Sequence, residues 1–136
     1  VVDDRTALVV VDAANVVGSR PDGWWRDRAG AARRLLAELS ALAQQPDGPA
    51  EVVVVLEGAA KAAVTGEANP EFRGLHVVSA KGSGDDAIVE VVAAAAEEDG
   101  DRPITVVTAD RGLRDRVEAL GAHTIGPRRL LDGIDS

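Results

Sequence analysis

Cysteine is absent from these 136 residues, which excludes disulfides and thiolate metal sites. Aromatic residues are nearly absent: Trp24, Trp25 and Phe72 are the whole set, 2% of the chain. A core with so few rings must be built from Val, Leu, Ile and Ala, as suits a sheet covered by helices. No apolar run approaches the roughly 20 residues that span a bilayer, and no signal peptide is visible. The default expectation is therefore an intracellular, cytoplasmic protein with no membrane partner. Methionine is missing even at position 1, as in a trimmed or alternatively started chain. Positive charge is also short. A net charge of −8 argues against a simple phosphate-coating binder, which would normally be basic. It is compatible with an enzyme whose acids surround a cation.

What is present reads as one domain over residues 1–136, soluble in composition, with 46% hydrophobic and 28% charged residues. The heavy use of Ala, and of Arg over Lys, fits a GC-rich genome. Apolar strand-like runs alternate with amphipathic stretches. Leu8-Val9-Val10-Val11 and Val52 to Leu56 read as strands buried on both faces. Leu75 to Val78, Ile104 to Val107 and a short run ending at Ile125 add three more. After the first strand comes a loop, Gly18 to Gly23, whose Pro21-Asp22-Gly23 is turn chemistry. Helices are expected from about Trp25 to Ala43, with Ala32, Leu35, Leu36, Leu39 and Leu42 as its stripe, and from Asp85 to about Glu98. Others are expected from Gly112 to Leu120, over 59–64 and at Pro127 to Leu131, with Phe72 in a loop plugging the core. Such alternation implies an α/β fold, mainly parallel, with helices on both faces in three layers.

In such folds the ligand crevice lies beyond the carboxyl ends of the strands. Asp12 follows the first strand, Glu57 the second and Asp110 the fourth, while Ser83-Gly84-Asp85-Asp86 opens the helix after the third. Parallel strands bring all of these to one edge. Asp85 precedes Ile88, Val89 and Val92 by three, four and seven residues, which sets it on the sheet-facing stripe. Asp86 points off that stripe. Each acid also has an ordinary structural reading. Asp12 suits an Asx turn, Asp110 a helix N-cap, Glu57 an exposed loop, and Ser83 with Asp86 a capping box. Their agreement on one edge is the stronger signal. Crowded carboxylates repel unless a cation intervenes, and all-oxygen donors select Mg²⁺ or Mn²⁺. His76 and His123 lie in strands and read as structural. An ion so held suits phosphodiester hydrolysis.

Other α/β readings fail on residues. There is no Walker A loop and no G-x-G-x-x-G after the first strand. A haloacid-dehalogenase-like phosphatase would want an acid where Ala14 stands.

Three segments carry a resemblance: Val11-Asp12-Ala13-Ala14-Asn15-Val16, Gly82-Ser83-Gly84-Asp85-Asp86-Ala87-Ile88 and Thr108-Ala109-Asp110-Arg111-Gly112-Leu113. With them the chain resembles the PIN-like nuclease superfamily, nearest to the NYN-domain branch of bacterial ribonucleases. The run from Gly18 to Arg28 further resembles actinobacterial NYN-like proteins. The resemblance covers nearly the whole chain and implies a PIN-like, Rossmann-like sheet of about five strands ordered 3-2-1-4-5. It implies a metal-dependent ribonuclease, with RNA as substrate and Mg²⁺ or Mn²⁺ as cofactor. Asp12, Asp85 and Asp110 become metal ligands, directly or through water, with Asp86 and Glu57 beside them. Asn15 would orient Asp12 or a substrate phosphate, and Thr108 would support the site. The family's usual Gly is Ala13 here.

Substrate-facing candidates are Ser19, Arg20, Trp24, Arg26, Ser83, Thr108 and Arg111. Adjacent helical residues point about 100° apart, so one of Trp24 and Trp25 should remain near the surface beside Arg20, Arg26 and Arg28. There it offers a stacking face for an unpaired base, or a contact between copies of the chain in a homo-oligomer. Rival functions are a metal-dependent phosphohydrolase of free nucleotides and a catalytically idle RNA- or protein-binding module.

Overall fold

A computed structural model describes residues 7–20, 23–45, 51–58, 61 and 74–135 of the chain. Strand and helix alternate as the apolar runs predict. The strands are β1 (Leu8–Asp12), β2 (Glu51–Leu56), β3 (Leu75–Ser79), β4 (Ile104–Val107) and β5 (His123–Ile125). The helices are α1 (Ala13–Gly18), α2 (Arg28–Ala43), α3 (Gly84–Glu98), α4 (Arg111–Glu118) and α5 (Pro127–Asp135). The strands form a parallel sheet in the order β3-β2-β1-β4-β5, the order that the family resemblance implies.

Strand side chains alternate between faces, so each β-branched run feeds two cores. Val11, Val52, Val54, Leu56 and Val107 pack under α1, α2 and α5. Leu8, Val10, Val53, Val55, Ile104 and Val106 pack under α3 and α4, against Ile88, Val92, Leu113 and Val117. Each fully buried aliphatic side chain is worth about 1.5–3 kcal/mol, and β1, central in the sheet, serves both cores. No helix among the described residues is long and apolar enough to cross a membrane.

The structure departs from the sequence expectations in two places. The stretch after Asp12 is a helix before it is a loop. Ala13, Val16 and Val17 are buried at helical spacing, a signal hidden because the valines of β1 run straight into it. The expected helix from Trp25 to Ala43 is also broken. Trp24–Arg26 is a separate 3₁₀ turn, entered through Gly23 at φ 75°, a left-handed conformation that favours glycine. Asp27 then goes extended and accepts from Gly30 N at 2.8 Å, capping α2. The helix expected over 59–64, apart from Lys61, and the loop carrying Phe72 lie outside the described residues.

Candidate functional site

Register places the acids. Asp12 pairs with Val55 of β2, and Val11 with Val107 of β4. Asp12, Glu57 and Thr108 therefore gather at one edge of the parallel sheet, with Asp110 opening α4 and Asp85 opening α3.

Asp12 ends β1 and caps α1. Its Oδ1 accepts from Asn15 N at 3.3 Å and its Oδ2 accepts from Thr108 Oγ1 at 3.0 Å. It is only 6% exposed, and Thr108 is fully buried. Burial pushes the Asp12 carboxyl above its ordinary range. The Thr108 and Asn15 hydrogen bonds oppose that shift, and the charges of Asp85 and Glu57 add to it. The Asn15 side-chain oxygen accepts from Ala109 N at 2.8 Å, joining α1 to the loop after β4. Thr108 Oγ1 accepts from Asp110 N, and Asp110 caps α4 by accepting from Leu113 N at 3.0 Å. One hydrogen-bonded frame thus holds Asp12, Asn15, Thr108 and Asp110.

Asp85 and Asp86 separate as helical geometry requires. Asp85 is half-buried on the stripe of Ile88 and Val92. Desolvation raises its carboxyl first, then the charges of Asp110 and Glu57, against the opposing charge of Arg116. Asp86 is exposed and accepts from Arg116 of α4 at 3.1 Å. Ser83 caps α3 through Asp86 N. Glu57 leaves the strand end and accepts from Gly84 N at 2.7 Å, across the mouth of α3. A Cβ on Gly84 would stand 3.0 Å from the Glu57 carboxyl carbon, so this close approach depends on the missing side chain. Gly at a helix start carried that signal in the sequence, but without a known partner it reads only as turn chemistry.

The candidate residues that follow α1 are partly engaged within the protein. Arg20 forks onto Glu38 at 2.7 and 2.8 Å, and Ser19 Oγ donates to Val16 O. Arg111 opens α4, exposed beside Asp110. Trp25 is 57% exposed while Trp24 packs against the core, so the expectation that one indole stays near the surface is met. The rings meet edge to face, centroids 6.1 Å apart. Arg26 lies over Trp25 at 5.9 Å and Arg28 over Trp24 at 5.5 Å. The sequence sets Arg28 beside the surface indole, but it lies over Trp24, the more buried of the two.

Trp24, Arg28, Ala14, Val17, Glu57 and Gly82 are among the residues lining a cavity of about 430 Å³ on the α1–α2 side of the acidic edge. Among the described residues, no group of three His, Cys, Asp or Glu side chains stands close enough to ligate one ion unaided.

Comparison with known proteins agrees with this architecture. The family model described as the YacP-like NYN domain matches residues 9–136. Two crystal structures of Rae1 (YacP) from Bacillus subtilis share the fold. A point mutant of that protein superposes with a TM-score of 0.75 at 18% identity, covering 95% of this chain and 75% of that one. The other superposes at 0.73 with 19% identity, covering 94% and 73%. No curated protein matches the chain. The family model spans nearly all of the sequence, including β1, the α3 entry and the β4–α4 junction, and the chain belongs to the YacP-like NYN domain family.

Proposed function

We propose that this protein is a metal-dependent ribonuclease that hydrolyses RNA phosphodiester bonds at the acidic edge. The observation that carries the reading is Asp12. It is a buried carboxylate whose charged influences are the acids Asp85 and Glu57, and whose compensating contacts are neutral donors. A carboxylate in that position is relieved by a divalent cation. Asp12, Asp85 and Asp110 would hold it, with Glu57 and Asp86 outside them. The donor set fits Mg²⁺ or Mn²⁺. It is all oxygen, and these hard ions keep several waters when few carboxylates bind them directly, as the spacing of the acids requires.

When bound, such an ion supplies positive charge to a phosphodiester oxygen and activates water for attack on phosphorus. The chain's own residues do the positioning. Thr108 and the Asn15 backbone amide each donate to one oxygen of Asp12, so its rotamer is fixed before an ion arrives. The Asn15–Ala109 bond keeps the Asp110 loop against α1. Arg111, Arg26 and Arg28 give an acidic protein a local place to receive phosphates.

The test is cleavage of single-stranded RNA by the purified protein with Mn²⁺, and its loss with chelator. Asp12→Asn and Asp110→Asn should each lower the rate on the order of 100-fold or more, because the carboxylates act as a unit. Cleavage of mononucleotides with RNA left intact would move the reading to a nucleotide phosphohydrolase. RNA binding without turnover and without dependence on the acids would leave a binding module.

A further inference from the structure

We infer that the cavity between α1, Trp24 and Glu57 is a nucleobase subsite selective for guanine. The inference rests on the nuclease reading only in making the ligand part of an RNA strand. Its volume, about 430 Å³, is that of a small-molecule site. Its walls combine an indole, a guanidinium over it, small apolar side chains of α1, and a carboxylate. Flat rings stack on indole and guanidinium planes with little dependence on which base is present. The carboxylate supplies the choice.

Glu57 is fixed before any ligand arrives. The Gly84 N–H holds its Oε2 at 2.7 Å, and the bare Cα of Gly84 admits the carboxyl group against α3. A carboxylate accepts about four hydrogen bonds, so both oxygens keep lone pairs for a second partner. On its Watson–Crick edge guanine presents two adjacent donors, N1–H and the N2 amino group, which match two carboxylate oxygens. Adenine and cytosine each offer one amino group beside an acceptor nitrogen, which would face a carboxylate lone pair. Uracil offers one N–H between two carbonyls. Ala13 lines the cavity and directly follows Asp12, so a base seated there carries its neighbouring phosphate toward the acidic edge.

The chain has two tryptophans, so Trp25→Phe leaves Trp24 as the only indole. That protein, in chelator, is titrated with GMP, AMP, CMP and UMP, reading Trp24 fluorescence and its indole N–H resonance. GMP should bind saturably and on the order of ten-fold tighter than the others, the discrimination of one bidentate pair. Adding Glu57→Gln should abolish the preference while a thermal melt shows the protein still folded, because an amide offers one acceptor and one donor. Equal affinity for all four nucleotides with Glu57 intact, or no saturable response to any, overturns the subsite. Because the titration is metal-free, its result is separate from the nuclease reading. Mn²⁺-dependent cleavage without guanine preference removes the subsite alone, and guanine-selective binding without cleavage removes the nuclease alone.

Discussion

Thr108 donates its hydroxyl to Asp12 across 96 positions of sequence, Oγ1 to Oδ2 at 3.0 Å, and so ties the end of β4 to the end of β1. The same oxygen accepts from Asp110 N at 3.1 Å. Two acids of the edge are thereby linked through one fully buried hydroxyl.

Thr108→Val keeps the shape and removes both bonds. A buried carboxylate loses a donor and an amide loses its acceptor, at about 1–3 kcal/mol for each unsatisfied group. The variant should therefore melt several degrees lower, and the Asp12 carboxyl should rise further. Chemical denaturation and NMR titration of Asp12 measure the two effects. An unchanged midpoint with an unchanged Asp12 titration would mean that the hydroxyl contributes nothing to the frame.

Asp12→Asn should raise metal-free stability at neutral pH. In the folded protein the Asp12 carboxyl lies above the ordinary value of 3.8, so between that value and the raised one the folded state binds more protons than the unfolded. Stability from this group then falls as pH rises through the window. It is highest when Asp12 is protonated, and the deficit is complete above the raised pKa. The advantage of Asn over Asp should accordingly be absent well below pH 3.8 and grow toward neutrality, and saturating Mn²⁺ should reverse it by stabilising only the wild type. Melting curves across pH, with and without Mn²⁺, test this. A variant advantage that is constant with pH would show that Asp12 folds with an ordinary pKa.

Much of this edge is legible in the sequence because its causes are local and periodic. Buried valine runs announce parallel strands, and an acid directly after such a run must lie at the carboxyl edge. The i+3, i+4 and i+7 relation of Asp85 to Ile88, Val89 and Val92 separates it from Asp86, which the structure finds exposed and paired with Arg116. Nonlocal contacts are not legible. Nothing in the order of residues says that Glu57 meets Gly84 N or that Asn15 reaches Ala109 N. α1 was hidden because one short helix adds only Val16 and Val17 to a stretch already rich in valine. The break at Asp27 was hidden because an aspartate capping its own downstream helix looks, in sequence, like any exposed helical acid.

Asp85→Asn should cost more activity than Asp86→Asn. Asp85 shares its electrostatic field with Asp12, Asp110 and Glu57, whereas the Asp86 side chain is 69% exposed and turned to Arg116. On RNA with Mn²⁺, Asp85→Asn should lose on the order of 100-fold and Asp86→Asn less than about ten-fold. Exposed ion pairs are worth about 0–1 kcal/mol, so Asp86→Asn should also leave the melting temperature nearly unchanged. Equal losses of rate at both positions would refute the assignment of the two aspartates to different faces of α3.

Trp24 and Trp25 should separate in the same manner, although they are adjacent. Trp24 packs on the core, faces Arg28 and lines the cavity. Trp25 is 57% exposed and touches its neighbour edge to face. Trp24→Ala should lower stability by about 3 kcal/mol, the lower end for a tryptophan, because the ring is only half-buried. It should also weaken RNA binding by more than stability explains, since a stacked base contributes about 1–3 kcal/mol. Trp25→Ala loses an aromatic edge contact worth about 0.5–1.5 kcal/mol and should leave RNA affinity intact. If Trp25 instead anchors a contact between copies of the chain, its removal lowers the mass in solution, because Trp and Arg are favoured interface anchors. Denaturation, RNA titration of the folded fraction and light scattering on the two variants distinguish these roles. A stability loss from Trp24→Ala with RNA affinity unchanged would make that indole core packing and remove the aromatic wall from the binding site.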